Sequence, residues 1–287
     1  MNSTEHTDAD RGGFYTVEEL KARLCISTLV FRSYRPIGRS TLEELAACGI
    51  RKIELIESPH QFDMTDADSM RLIGEDCRSC GIEIAAYHAD RTNFLDLETE
   101  ADRRKRVDRC RRQIDTMLEL GGNVWGSHAA VADEEMMKSH RELARHVEGT
   151  GAHIAVENFG GELSVEARMA FLTEIDHPQV GMILDIGHES TPTGENPMCL
   201  PGGPTRVVNH CQERLCHIHM HGFKDGCDHF PPLVEGDCIQ WIELFRALRA
   251  VGYCGHMNFE PRSGHQNALQ ATAGFPERIV EMEAQAR

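Results

Sequence analysis

Short apolar runs alternate with longer amphipathic stretches along almost the whole chain. The short runs are LCISTLVF (24–31), KIELIE (52–57), IEIAAYHA (82–89), NVWGSHAA (123–130), HIAVENF (153–159), GMILDIGH (181–188), CHIHMHGF (216–223) and GHMNFEP (255–261). Their length and β-branched content predict strands buried on both faces. Between them lie helical patterns such as STLEELAACG (40–49), EADRRKRVDRCRRQIDTMLELGG (100–122), EEMMKSHRELARHVEGTG (134–151), VEARMAFLTEID (165–176) and IQWIELFRALRAVGY (239–253). Several of these patterns stop at a glycine before the next strand: Gly49, Gly81, Gly121 and Gly151. Glycine accepts the left-handed conformation that ends a helix.

Eight strands alternating with helices predict a parallel sheet, and at 287 residues the natural closure is a (β/α)8 TIM barrel of class α/β. The alternative, an open doubly wound sheet, lacks the Gly-rich phosphate fingerprint expected after its first strand. We read one barrel domain over 21–287, preceded by a polar N-terminal extension over 1–20 that is expected to be poorly ordered. The longest irregular stretch, ESTPTGENPMCLPGGP (189–204), follows the sixth strand and would lie at the catalytic rim.

Composition narrows the function. Forty-six acidic residues against 30 basic ones give a net charge of −16, which opposes phosphate backbones and anionic membranes. No apolar run is long enough to span a bilayer, and the start of the chain lacks the apolar core of a signal peptide. Eleven scattered cysteines suit reduced thiols in a cytoplasm better than a disulfide framework. Cys77 and Cys80 form a C-x-x-C inside a helical stretch, with no second pair beside it, and read as ordinary thiols. The basic run RRKRVDRCRR (103–112) reads as a solvated helix face or a subunit contact. Arg32 and Arg35 lie after the first strand, within reach of a substrate or simply in a solvated loop.

In such a barrel the C-terminal strand ends build the active site. The residues there are Glu54 and Glu57 on the second strand, His88 on the third, His128 on the fourth and Glu157 on the fifth. The sixth carries Asp185 and His188, the seventh His219 and the eighth Glu260. On the seventh strand His217, His219 and His221 alternate, so all three share one face at three depths. Glu157, Asp185, His219 and Glu260 come from four successive strands, and such a set of ligand-type groups at one pole points to a metal site.

The strings AVENFGGELSVEARMAFLTEIDHPQVGMILDIGHES and HIHMHGFKDGCDHFPPLVEGDCIQW resemble the sugar phosphate isomerase/epimerase superfamily. This is the xylose isomerase-like barrel group that also contains endonuclease IV. The resemblance runs from about Leu24 through Glu260 on the ordered motifs V-E-N, L-D-x-G-H and H-x-H. It implies one divalent metal held by Glu157, Asp185, His219 and Glu260, with Glu157 and Glu260 also moving protons. It implies that His188 contacts a substrate carbonyl or hydroxyl, and that His88 and His128 bind substrate or, as in endonuclease IV, further zinc. His221, Lys224 and Arg262 are the remaining candidates for substrate contact. Three carboxylates and one imidazole favour Mn2+, with Mg2+, Co2+ or Zn2+ as alternatives.

The expected reaction is isomerisation or epimerisation of a keto sugar or related polyol through a metal-stabilised enediolate. A lyase acting on an inosose or 3-keto-glycoside would share that intermediate. Where endonuclease IV carries D-x-H, this chain has Asp228 and His229 adjacent, so we expect the two side chains not to be presented in the same way. That and the acidic charge disfavour a phosphodiesterase. The expected partner is a small carbohydrate, with neither nucleic acid nor membrane, and the resemblance is compatible with a homo-oligomer.

Overall fold

The computed structural model describes residues 13–32, 35–58, 60–89, 99–128, 133–158, 165–191 and 193–287. Eight parallel strands close into a barrel: β1 (Leu24–Ser27), β2 (Lys52–Ile56), β3 (Glu83–His88), β4 (Val124–His128), β5 (His153–Glu157), β6 (Val180–Asp185), β7 (Leu215–Met220) and β10 (Met257–Phe259). Each pairs with the next in chain order, and β10 closes on β1 through Leu24, Cys25 and Ile26. Helices α2 (Arg39–Ala47), α3 (Ala67–Cys80), α4 (Glu100–Glu119), α5 (Glu134–His146), α6 (Val165–Ile175), α7 (Gly203–Cys211) and α8 (Trp241–Ala250) form the outer layer. They are joined by α1 (Val17–Arg23) at the start and α9 (Ala268–Ala273) and α10 (Phe275–Gln285) at the end.

Local chemistry sets these boundaries. Thr16 and Glu19 form a capping box on α1, and Asp66, Thr99 and Asp133 accept backbone N–H groups at the starts of α3, α4 and α5. The four helix-stop glycines all take positive φ, from 66° to 93°. The main core lies between strands and helices, where Leu55, Tyr87, Trp125, Val156, Leu184 and Ile218 are fully buried. Inside the barrel a small apolar plug of Ala86, Val124, Ala155 and Ile183 fills the lower part. Buried polar groups, Glu54, Glu157, Asp185, His217 and His219 among them, occupy the rest of the interior.

Residues 1–12 of the expected extension lie outside the described residues. Tyr15 and Leu20 are buried, and the Tyr15 ring packs edge-on against Phe245 with the Arg249 guanidinium 4.4 Å from its centre. Among the described residues no helix is long and apolar enough to cross a membrane.

Three features differ from the sequence reading. A hairpin of β8 (Gly222–Lys224) and β9 (Cys227–Phe230) follows the seventh barrel strand, turning at Asp225 and Gly226 with both φ angles positive. Cys199 and Cys238, 39 residues apart, are disulfide-bonded, whereas nine cysteines, Cys77 and Cys80 among them, are free. The basic run is only partly solvated. Arg103 is buried among Glu100, Glu135 and Glu142, and Arg109 reaches the rim to pair with Glu57.

Candidate metal centre

Strand register brings the ligand-type residues to one height. Asp185 stands beside His219 on β6 and β7, His128 beside Glu157 on β4 and β5, and Asn258 beside His219 on β10 and β7. Glu260 lies one residue past β10, where its backbone N–H donates to the Met220 carbonyl. Around His219 Nδ1 stand Glu260 Oε2 at 3.4 Å, Glu157 Oε1 at 3.6 Å and Asp185 Oδ2 at 3.9 Å. His219 Nδ1 and Asp185 Oδ2 are buried with no hydrogen-bond partner among the described residues. Buried polar atoms are rarely left so. Two orphaned atoms facing each other, flanked by two further carboxylates, make a donor set that fits a divalent cation. Removing four carboxylates, Glu54 included, from water is costly unless positive charge accompanies them.

The carboxylates are held by further partners. Asp185 Oδ1 accepts from the Gly187 and His188 backbone N–H groups and from His221 Nε2 at 3.0 Å. Glu157 Oε2 meets His88 Nε2 at 2.7 Å and His128 Nε2 at 2.8 Å, and its Oε1 meets His188 Nδ1 at 3.0 Å. Ser27 donates to Glu260 Oε1. Asn158 brackets the Asp185 backbone, donating to its carbonyl and accepting from its N–H.

Charge follows this packing. Burial pushes the Glu157 and Asp185 carboxyls up, but the surrounding imidazoles, led by His128 at Glu157 and His188 at Asp185, overrule it and hold both well below the usual range. Glu260 behaves otherwise: burial raises it to about 7, with Glu54 and Glu157 adding repulsion against the pull of His219. Burial opposes charge on His188 too, yet Asp185, Asp228 and Glu157 raise it to about 12. His229 is driven the other way, to about 4, by burial and the neighbouring His221.

A cavity of about 370 Å³ opens above this cluster, lined by His88, His128, Glu157, His188 and Glu260 and by Asp228, His229, Arg32, Glu57 and Arg262. The structure thus brings together Glu157, Asp185, His219 and Glu260, with His88, His128, His188 and Arg262 around them. It places His221 one residue past β7 against Asp185 Oδ1, fully buried and outside the cavity lining, and Lys224 on β8, also outside it.

Asp228 and His229 are the largest surprise. His229 takes a φ of 59°, and this left-handed residue turns both side chains to the mouth. Asp228 Oδ2 lies 3.4 Å from His188 Nε2, while Arg262 sits 3.4 Å from Asp228 Oδ1. Adjacent side chains usually diverge, and only the backbone of the hairpin, invisible in the motif, overrides that here. Glu57 was visible as a strand-end carboxylate, but its partners Arg109 and Gln113 come from α4 and carry no motif.

Comparison with known proteins places residues 42–279 in the family model described as xylose isomerase-like TIM barrel. A 3-dehydroshikimate dehydratase of Pseudomonas putida is 26% identical over 224 residues, 74% of this chain, and the chain spans only 31% of that enzyme's length. A solved D-tagatose 3-epimerase-like protein superposes with a TM-score of 0.69 at 21% identity, over 92% of this chain and 99% of that one. A xylose isomerase-like TIM barrel protein from Mycobacterium smegmatis, in complex with magnesium, gives a TM-score of 0.70 at 16% identity, over 95% and 99%. At those identities the two solved structures speak to the fold.

Proposed function

Because the chain belongs to the xylose isomerase-like TIM barrel family, we propose that it is a divalent-metal-dependent isomerase or epimerase of a keto sugar or related polyol. The observation that carries this reading is the convergence of Glu157, Asp185, Glu260 and the orphaned His219 Nδ1 on one point. These four would hold the ion, Mn2+ being the first choice for an oxygen-rich set with one imidazole. When bound, the ion supplies Lewis-acid polarisation of a substrate carbonyl.

The side chains do the rest. Glu157 flanks His219 from β5 and Glu260 from just past β10, so a keto group seated there has a carboxylate on either side. One removes the proton next to the carbonyl and the other returns it, as general base and acid. His88 and His128 lock the Glu157 carboxylate, and Ser27 steadies Glu260. His188 lies between Glu157 and Asp228 at the cavity wall, where it can donate to a substrate oxygen. Arg262 and His128 border the rest of a sugar-sized cavity. The net charge of −16 argues against nucleic acid as the partner.

A lyase is the second reading, supported by a separate observation. Four imidazoles, His88, His128, His188 and His229, line the cavity, more than proton exchange needs, and His188, held protonated between carboxylates, can donate to a leaving oxygen. The relative named as a dehydratase agrees with it. Proton NMR in deuterated water, with Mn2+ turnover followed by quenching and metal removal, separates the two. A panel of keto sugars and 3-dehydroshikimate should show either deuterium exchange with epimer formation or loss of water. Glu157→Gln and Glu260→Gln should each abolish exchange, and full exchange in both variants rejects the acid/base pair.

A further inference from the structure

The proposed ligands leave Glu54, a buried carboxylate of the barrel interior, without a role. Glu54 points into the barrel from β2, is fully buried and does not line the cavity, so it touches no substrate. Its Oε1 accepts from Asn258 Nδ2 at 2.9 Å. Its Oε2 meets His217 Nε2 at 2.9 Å and His219 Nε2 at 3.2 Å. One carboxylate therefore ties together β2, β7 and β10, although β2 and β7 are not neighbours in the barrel.

The consequence lies in which ring nitrogen of His219 faces the pole. A neutral imidazole has one N–H and one lone pair. An anionic acceptor at Nε2 keeps the N–H there and leaves the Nδ1 lone pair directed at Glu157, Asp185 and Glu260. The same hydrogen bond makes Nδ1 more electron-rich, and the carboxylate adds negative charge beneath any cation. His217 and Asn258 stop Glu54 from rotating away, which gives the deepest histidine of the H-x-H pair a purpose that packing alone does not.

We propose that Glu54 is the positioning residue of the metal centre: through His219 it fixes the nitrogen offered to the cation and strengthens its hold. The inference rests on the metal-centre reading, and its test separates the two. Mn2+ is titrated calorimetrically into the full chain and into Glu54→Gln, and unfolding of both is followed in chelator. The variant should bind Mn2+ about 10- to 100-fold more weakly with unchanged stoichiometry, while its unfolding temperature in chelator stays at or above that of the natural chain. Affinity within threefold of the natural chain, or a drop in chelator stability alone, overturns the proposal and leaves Glu54 a structural residue. If the natural chain itself binds no Mn2+, the metal-centre reading falls and the proposal with it. Should the variant not fold, 15N NMR of the natural chain loaded with Zn2+ decides. Nδ1 bound to metal and a hydrogen-bonded Nε2–H support the proposal, and the reverse assignment overturns it.

Discussion

Gly187 shows how a single missing side chain shapes the centre. A Cβ there would sit 2.2 Å from His221 Cε1 and 2.9 Å from Asp228 Cβ. His221 cannot retreat, because it is fully buried, donates to Asp185 and accepts from the His229 backbone N–H. The glycine of L-D-x-G-H is thus a space requirement, letting β7 and the hairpin close on the end of β6. Gly187→Ala should cost about 1–3 kcal/mol as an overpacked site. It should also weaken Mn2+ binding, since His221 moves off Asp185. Chemical denaturation and calorimetric titration check the two effects, and an unchanged midpoint with unchanged affinity refutes the argument. At this scale the sequence exposed the ligand types but not their support. Glu157, Asp185, His219 and Glu260 announce themselves as polar groups closing apolar runs. Ser27 and Asn258 look like ordinary strand residues until the barrel closes around them, and Asn158, though part of V-E-N, shows its hold on the Asp185 backbone only there.

Helix α5 carries a titratable group unrelated to the centre. His140 is fully buried, hydrogen-bonds through Nδ1 to the Met136 carbonyl, and meets the Phe171 ring of α6 edge-on at 5.4 Å. Burial, with Arg168 adding to it, pushes its pKa down to about 4 from 6.5. Between those values the unfolded chain binds the proton and the folded one does not, so folding loses stability as pH falls from 6.5 to 4. The slope is at most ~1.4 kcal/mol per pH unit, and there is none above about pH 7. Urea denaturation at pH 7 and pH 5 should show the natural chain losing roughly 2 kcal/mol more than His140→Leu. Equal losses in both proteins dismiss the assignment. Elements of this kind were legible because their signals are local: apolar period, caps and stop glycines. The β8–β9 hairpin was not, since strand β8 is three residues long and continues the apolar run of β7. The Cys199–Cys238 pair was equally hidden, because its partners meet only when the loop after β6 packs against the segment before α8.

Across the whole molecule the barrel was readable because a parallel sheet wrapped in helices writes eight apolar runs into the chain, and the order of those runs places its polar ends at one pole. Convergence to within 4 Å was not readable, since it depends on strand register and on where β10 closes against β1. That convergence also couples ligand to fold. Glu157 and Asp185 come from two strands and Glu260 from the end of a third, and with Glu54 from a fourth they repel one another across the barrel interior; a cation seated between them links those strands and relieves the repulsion. Folding free energy should therefore rise on loading by RT ln(1 + [L]/Kd), about 2.7 kcal/mol at one hundred times Kd. For a chain of this size each kcal/mol corresponds to roughly 2–4 °C, so Mn2+ should raise the unfolding temperature by about 5–10 °C over chelator. Scanning calorimetry at several Mn2+ concentrations checks it. The shift should grow with the logarithm of concentration, and it should shrink in Asp185→Asn, which keeps the size of the side chain while removing the charge that Oδ2 brings to the cation. A concentration-independent unfolding temperature would mean that the four side chains converge without holding an ion.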